Sequence, residues 1–197
     1  MIGRIAGRLL AKTPPLLLVD VGGVGYEIEA PMSTFYKLPA VGEAVVLHTH
    51  LTVREDAHLL FGFATAQERA LFRELIRVSG VGPKLALAVL SGVGVDEFWI
   101  TVRAGDVVRL TKLPGIGRKT ADRLIVEMRD RAAGGDEAPA AIGAVSAVPG
   151  SPLQEARHAL AALGYKPAEI QRFTEAVYKD GMSTEQIIQE ALKRAVR

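Results

Sequence analysis

Gly80-Val81-Gly82-Pro83-Lys84-Leu85-Ala86 and Gly115-Ile116-Gly117-Arg118-Lys119-Thr120-Ala121 write one phrase twice, thirty-five positions apart. In each copy a polar helix end precedes the glycines and an apolar helical stripe comes after them, so the phrase predicts helix, tight hairpin, helix. A Gly-hydrophobe-Gly turn lets the backbone take positive φ and approach a ligand closely, and it leaves free N–H groups where the second helix begins. Those groups, with the helix dipole behind them, make an anion site, and Lys84 or Lys119 adds a mobile cation to it. Val81 and Ile116 read as core plugs anchoring each turn. One isolated copy is as readily a sharp corner that packs well; two copies with matching Gly, Gly, Lys and Ala positions argue for phosphate.

The surroundings decide which phosphate. A Walker loop needs Gly, four residues, then Gly-Lys-Ser/Thr after a strand, and neither copy fits. The dinucleotide fingerprint is missing too, since no third glycine falls at the right offset and no βαβ unit surrounds the turns. ATP and NAD are therefore not expected. Two phosphate cradles on one small helical unit suit a polymer of regularly spaced charges, gripped without reading base edges.

Charge supports this. Residues 1–62 carry five Lys/Arg against six Asp/Glu, and residues 63–131 carry twelve against eight, so the positive excess lies in the segment holding the repeat. Arg118, Lys119 and Arg123 cluster at and one turn beyond the second hairpin, either as a solvated basic face or as a DNA footprint. The 197-residue chain has no cysteine, which excludes a disulfide frame and thiolate metal sites. No window approaches the roughly 18 uninterrupted apolar residues of a membrane span, and Met1-Ile2-Gly3-Arg4 lacks a signal-peptide core. A cytoplasmic protein without membrane contact is expected.

Ahead of the repeat the pattern alternates with period two, broken by turn signals at Pro14-Pro15, Gly22-Gly23 and Pro39 to Gly42. Strands are expected near 2–10, 16–21, 25–30, 44–51 and 58–63, with a short helix near 33–38. Five strands and one helix compose an OB-type β-barrel. Its aromatics, Tyr26, Phe35, Tyr36, Phe61 and Phe63, read mostly as core rather than as base-stacking platforms. Glu55 and Asp56 stand together on a turn, an arrangement that repels a phosphate backbone. They form either an ordinary solvated turn or a repulsive wedge that bars the wrong substrate.

From Thr65 the period becomes helical, with Leu71, Phe72, Leu75, Ile76 and Val78 as one stripe. Further helices near 95–103 and 106–113 lead into the second hairpin, and Trp99 reads as core. Residues 132–150, rich in Ala, Gly and Pro, read as a flexible linker. Ser151-Pro152-Leu153-Gln154 then signals a capped helix start, and three helices fit 152–163, 167–179 and 184–196, with a second capping box at Ser183 and Gln186. The turn at Leu163-Gly164-Tyr165 offers apolar side chains, so this small bundle is either a tethered docking arm or a cap folded back on the body. The fold class expected is α+β multidomain: barrel 1–63, tandem helix-hairpin-helix domain 64–131, linker 132–150 and three-helix bundle 151–197.

In this order of parts the chain resembles the RuvA family of bacterial Holliday-junction recognition subunits. The resemblance is carried by Met1 to Arg4, Val21-Gly22-Gly23-Val24-Gly25-Tyr26-Glu27, Val53-Arg54-Glu55-Asp56-Ala57, Leu59 to Phe63, Ser79 to Leu87, Lys112 to Gly117 and Leu163-Gly164-Tyr165. It implies a UBA-like C-terminal bundle and four copies joined through their barrels into a platform for a four-way junction, with a second tetramer on the same DNA left open. It implies an acidic pin made by Glu55 and Asp56 at the junction centre. DNA contacts would come from the N–H groups of residues 80–84 and 115–119. The ATP-driven RuvB motor would dock through Leu163, Tyr165 and their neighbours, and the RuvC resolvase would be a further partner. No cofactor, metal or catalytic residue is implied, and the setting would be recombination, repair and the SOS response. The rival readings are a helix-hairpin-helix DNA glycosylase with Asp130 or Asp136 as its acid, against which no base pocket with stacking aromatics is evident, and an accessory module of a repair nuclease.

Overall fold

The computed structural model describes residues 1–133, 151–179 and 181–195. Most of the expected linker, residues 134–150, lies outside them. The chain divides into two units, Met1–Ala141 and Ile142–Arg197.

The first unit opens with five strands, β1 (Arg4–Thr13), β2 (Leu16–Val21), β3 (Val24–Glu29), β4 (Ala44–Val53) and β5 (His58–Phe63), closed in the order β1-β2-β3-β5-β4. All pairs are antiparallel except β3 with β5, which meet in parallel at Glu29 and Phe61. This is the OB-type barrel the alternation predicts. Inward residues Ile5, Leu9, Leu17, Val19, Ile28, Val45, Leu47 and Leu60 fill it. β1 runs three residues past its expected end, because the register shifts between Leu9 and Ala11 and the apolar alternation is lost while pairing continues. The short helix α1 (Met32–Phe35) stops before its expected end. Tyr36 comes directly after it with its ring exposed, unlike the core placement expected, whereas Phe35, Phe61 and Phe63 are buried.

Strand β5 joins the barrel to a group of helices. Gly62 faces inward, where a Cβ would stand 2.6 Å from Ile28 Cγ2. Phe61 and Phe63 alternate to the outer face, where their ring centroids lie 5.0 and 4.9 Å from that of Phe72. Phe72 belongs to α2 (Ala66–Leu75), whose start is fixed by a capping box between Thr65 and Glu68. Helices α3 (Pro83–Gly92), α4 (Val95–Ala104), α5 (Val107–Thr111) and α6 (Arg118–Ala133) complete the unit. Their core unites Leu71, Leu75, Val89, Phe98, Leu110, Leu124 and Met128 with the two β5 phenylalanines. Trp99 is only half-buried, edge-on to Phe98 at 5.7 Å, so it flanks the core instead of filling it. Helix α5 is shorter than expected because Asp106 caps it, accepting from Arg109 N at 2.9 Å, while Lys112 and Leu113 leave the helix for the turn. Helix α6 reaches Ala133, two residues into the expected linker.

The second unit holds α7 (Pro152–Ala162), α8 (Pro167–Val177) and α9 (Thr184–Ala195), closed over Ala156, Leu160, Ile170, Ile187 and Ala191. The capping box at Ser183 and Gln186 forms in both directions, at 3.0 and 3.3 Å. The one expected at Ser151 does not: that residue caps α7 through its carbonyl, which accepts from Gln154 N at 2.8 Å, and its hydroxyl makes no capping bond.

Candidate nucleic-acid interface

The sequence repeat is a repeat of hydrogen bonds. In the first hairpin Val78 N donates to Leu75 O, Val81 N to Val78 O, and Ala86 N to Gly82 O. Thirty-five residues on, Leu113 N donates to Leu110 O, Ile116 N to Leu113 O, and Ala121 N to Gly117 O. The glycines divide two tasks. Gly80 and Gly115 hold φ of +85° and +79°, a conformation that favours glycine. Gly82 instead has φ −83° and ψ 170°, which any residue adopts, and a Cβ on it or on Gly117 would meet nothing within 4 Å. The first glycine of each pair serves the turn; the second leaves open space in front of a helix start.

Val81 and Ile116 are buried, at 4% and 5% exposure, and act as the expected plugs. Their N–H groups are spent inside the turns, and Pro83 has no N–H, so the donors are fewer than the full runs 80–84 and 115–119 expected from sequence. Gly80, Gly82 and Lys84 in the first hairpin, and Gly115, Gly117, Arg118 and Lys119 in the second, direct N–H groups to no acceptor among the described residues. Lys84, Arg118 and Lys119 are exposed and form no ion pair among the described residues. The side of the structure carrying the free N–H groups thus also carries free cations.

Arg123 differs from the rest of the expected set. Its Nη1 donates to Ser79 O at 2.9 Å and Ser79 Oγ at 3.3 Å, so this side chain of α6 ties the first hairpin to the second. A second tie is apolar: Leu85 Cδ1 lies 3.0 Å from where a Cβ on Gly115 would stand. Spacing alone could not reveal either link, since each joins residues thirty or more positions apart.

Glu55 and Asp56 stand exposed at the turn between β4 and β5, closed by Arg54 N donating to Ala57 O at 2.9 Å. At the second unit's turn Gly164 has φ +91° and Leu163 is 61% exposed. Tyr165 lies edge-on to Phe173 at 6.1 Å and is partly buried, so Leu163 is the more available of the two. Of the acids in the glycosylase reading, Asp130 falls within α6 and Asp136 lies outside the described residues.

Sequence reasoning missed one cationic cluster. Arg73 Nε donates to His50 Nδ1 at 3.3 Å, and Arg69 Nη1 donates to Gly3 O at 2.6 Å. Burial and the neighbouring Arg73 and Arg69 hold the His50 imidazole below its ordinary range; burial, Arg69 and Arg4 do the same to His48. No local signal could have shown it, because β4 and α2 meet only in the fold.

A closed five-stranded barrel leading directly into two hairpins of matching geometry defines a tandem helix-hairpin-helix protein built on an OB-type domain. Residues 72–130 match the model of the SAM-like helix-hairpin-helix tandem, and residues 1–62 and 151–196 match those of the RuvA N-terminal and C-terminal domains. The chain is 54% identical over 204 residues to a protein of Thioalkalivibrio sulfidiphilus and 54% identical over 201 residues to one of Pseudomonas aeruginosa, each alignment covering 100% of both chains. It is 55% identical over 197 residues to one of Nitrosococcus oceani, covering 98% of this chain and 99% of that one. All three are named Holliday junction branch migration complex subunit RuvA. The chain belongs to the RuvA family. Among the described residues no single helix is long and apolar enough to cross a membrane.

Proposed function

We propose that this chain binds four-way DNA junctions and presents them to a branch-migration motor. The observation that carries the reading is the pair of matched hairpins, whose N–H groups and exposed Lys84, Arg118 and Lys119, without partners among the described residues, belong to the same unit as the acidic turn Glu55–Asp56. Hairpin N–H groups grip phosphates and are indifferent to base identity, so affinity comes from the backbone and falls with salt. The acidic turn works in the opposite sense. It repels any strand that approaches it and favours a DNA in which strands diverge around a point, as they do where four arms meet.

Four copies joined through their barrels would give each arm its own pair of hairpins, and a second tetramer could cover the opposite face. Residues 1–63 would then assemble and carry the pin, 64–131 would hold DNA, and 151–197 would dock the RuvB motor through Leu163 and Tyr165, with 132–150 linking them. RuvC would act on the same junction. The chain itself would be a non-catalytic cytoplasmic subunit without cofactor, ATP hydrolysis belonging to RuvB. The names of the relatives and the absence of a Walker pattern in the sequence support this division.

The test is a gel-shift series with the full chain on an immobile four-way junction and on linear duplex of the same sequence, across salt and magnesium. Strong junction preference in a band containing four or eight copies is expected. Equal affinity for both DNAs sinks the reading, and a nicked or base-free product would favour a glycosylase or nuclease instead.

A further inference from the structure

The acidic turn and the first hairpin can act on one DNA only if their separation is fixed, and polar links through α1 add to the hold that β5 packing on Phe72 provides. Helix α1, a single turn at the barrel's edge, is bonded to both helices that flank the first hairpin. On the α2 side, Glu68 is 4% exposed. Its carboxylate accepts from Thr34 Oγ1 at 3.4 Å, from Lys37 Nζ at 3.3 Å and from Thr65 N at 3.3 Å. Thr34 Oγ1 in turn accepts from Ala64 N at 3.0 Å, where β5 passes into α2. On the α3 side, Ser91 Oγ accepts from Met32 N at 2.9 Å and donates to Leu87 O at 2.6 Å.

The helical core already couples α3 to β5 through Val89, Leu90, Phe61 and Phe63, and the Met32–Ser91 bond adds a further hold at the barrel seam. Beside it the seam between barrel and α3 opens into a groove lined by Pro15, Ala30, Met32, Leu87, Ala88 and, at the hairpin end, Lys84. Close-packed surfaces resist sliding by themselves, and where a seam is partly open a directional bond further restricts its angle. The Met32–Ser91 bond is such a bond, and it lies on α3, the helix that begins at the first hairpin and carries Lys84. The two links also differ in cost of loss: freeing buried Glu68 strands a carboxylate, whereas freeing half-buried Ser91 exposes one amide to water.

We infer that Glu68 and Ser91 are positioning residues that lock the first hairpin to the pin-bearing barrel and thereby set selectivity for four-way junctions over linear duplex. Neither need touch DNA. A linear duplex meets the hairpins alone and tolerates a change in their angle to the barrel. A junction must satisfy hairpins and acidic turn together, so it loses affinity when that angle is loose. The inference rests on the junction-binding reading and adds to it the residues that convert phosphate binding into shape selection.

The experiment compares the full-length wild type with Ser91→Ala, Glu68→Gln and Ser91→Thr by fluorescence anisotropy, on an immobile four-way junction and on linear duplex of the same sequence. Thermal melts confirm that each is folded. Ser91→Ala is expected to lower the junction-to-duplex affinity ratio about fivefold, about 1 kcal/mol by the relation between Kd and free energy. Duplex affinity itself stays within about twofold. Ser91→Thr keeps the hydroxyl and should keep the wild-type ratio. Glu68→Gln keeps the cap on Thr65 N, loses the charge facing Lys37, and should shift the ratio in the same direction as Ser91→Ala. An unchanged ratio in a folded Ser91→Ala protein overturns the inference, as does a parallel loss on both DNAs, which is what simple destabilisation gives. A wild type with no junction preference overturns the junction reading and this inference together, and is distinguishable because it appears before any variant is made.

Discussion

Replacing Gly82 and Gly117 by alanine should separate binding from folding. Gly82 sits at φ −83°, ψ 170°, a conformation alanine adopts freely, and Gly117 is not among the glycines with positive φ. A Cβ at either would meet nothing within 4 Å. Two small stability terms remain. Alanine is the poorer helix-capping residue by up to about 1 kcal/mol, while the stiffer unfolded chain returns about 0.4–1 kcal/mol. They nearly cancel, so the melting temperature should move by no more than about 2–4 °C. Binding should respond differently, because the new methyls stand where a phosphate must come to meet the N–H groups. Pushing that phosphate out by about 1 Å takes a bond of about 2.9 Å beyond the range of a hydrogen bond. Bonds to charged groups are each worth about 1.5–3 kcal/mol, so duplex and junction affinity should fall at least tenfold by anisotropy titration. Gly80→Ala and Gly115→Ala give the reverse signature: positive φ costs alanine about 1–2 kcal/mol, and at Gly115 the new Cβ also meets Leu85 Cδ1 at 3.0 Å. A folded Gly82→Ala, Gly117→Ala protein that binds duplex within about twofold of wild type would refute the assignment of these hairpins as the phosphate site.

Glu55→Gln with Asp56→Asn should keep or raise overall DNA affinity and lower the junction-to-duplex ratio; an unchanged ratio removes the acidic turn from the mechanism. Arg118→Ala with Lys119→Ala should flatten the plot of log K against log salt by about one to two units per protomer, since each lost phosphate contact removes about 0.9. An unchanged slope would place those side chains away from DNA. Leu163→Asp should abolish pull-down of purified RuvB while leaving junction binding intact, and retention of RuvB would move the docking surface elsewhere on the bundle. Stability should also depend on pH through His48 and His50, which are held below their ordinary value of 6.5, chiefly by burial and then by neighbouring arginines. The unfolded chain therefore binds their protons more readily than the folded one. Their contribution is complete above pH 6.5 and is lost as pH falls from there through the folded values. Melting temperature should drop over that window, and less so in His48→Gln, His50→Gln; identical slopes in the two proteins would exclude these imidazoles as the cause.

Much of this architecture is legible in the sequence because its signals are local. Alternation at Ile5, Leu9, Leu17, Val19, Val45 and Leu47 marks barrel strands, and the Gly-hydrophobe-Gly phrase marks hairpins, since both patterns are set by backbone geometry within a few residues. What the sequence hides is long-range. Phe61 and Phe63 read as part of a barrel core, yet their outward alternation places them in the helical core against Phe72. Arg123 reads as a free cation near DNA, yet Ser79, forty-four positions earlier, accepts its guanidinium N–H. Tyr36 has the composition of a core residue and stands in solvent because α1 ends one residue before it.

The way the hairpins are joined bears on how they work. Arg123 binds Ser79 and Leu85 reaches Gly115, so a polar and an apolar link fix one phosphate cradle relative to the other. Two cradles held at a constant spacing bind a duplex cooperatively without reading a base, because the repeat of the DNA backbone supplies the match. In the proposed reading that arrangement by itself would give affinity for any duplex and no preference for a junction. Preference, in that reading, comes from an element that linear DNA does not meet, and Glu55 and Asp56 supply adjacent exposed negative charges at a turn of the same unit. In the proposed reading the hairpins set how tightly the chain binds, and the acidic turn, whose angle to the first hairpin the α1 bonds help to hold, sets which DNA shape it keeps.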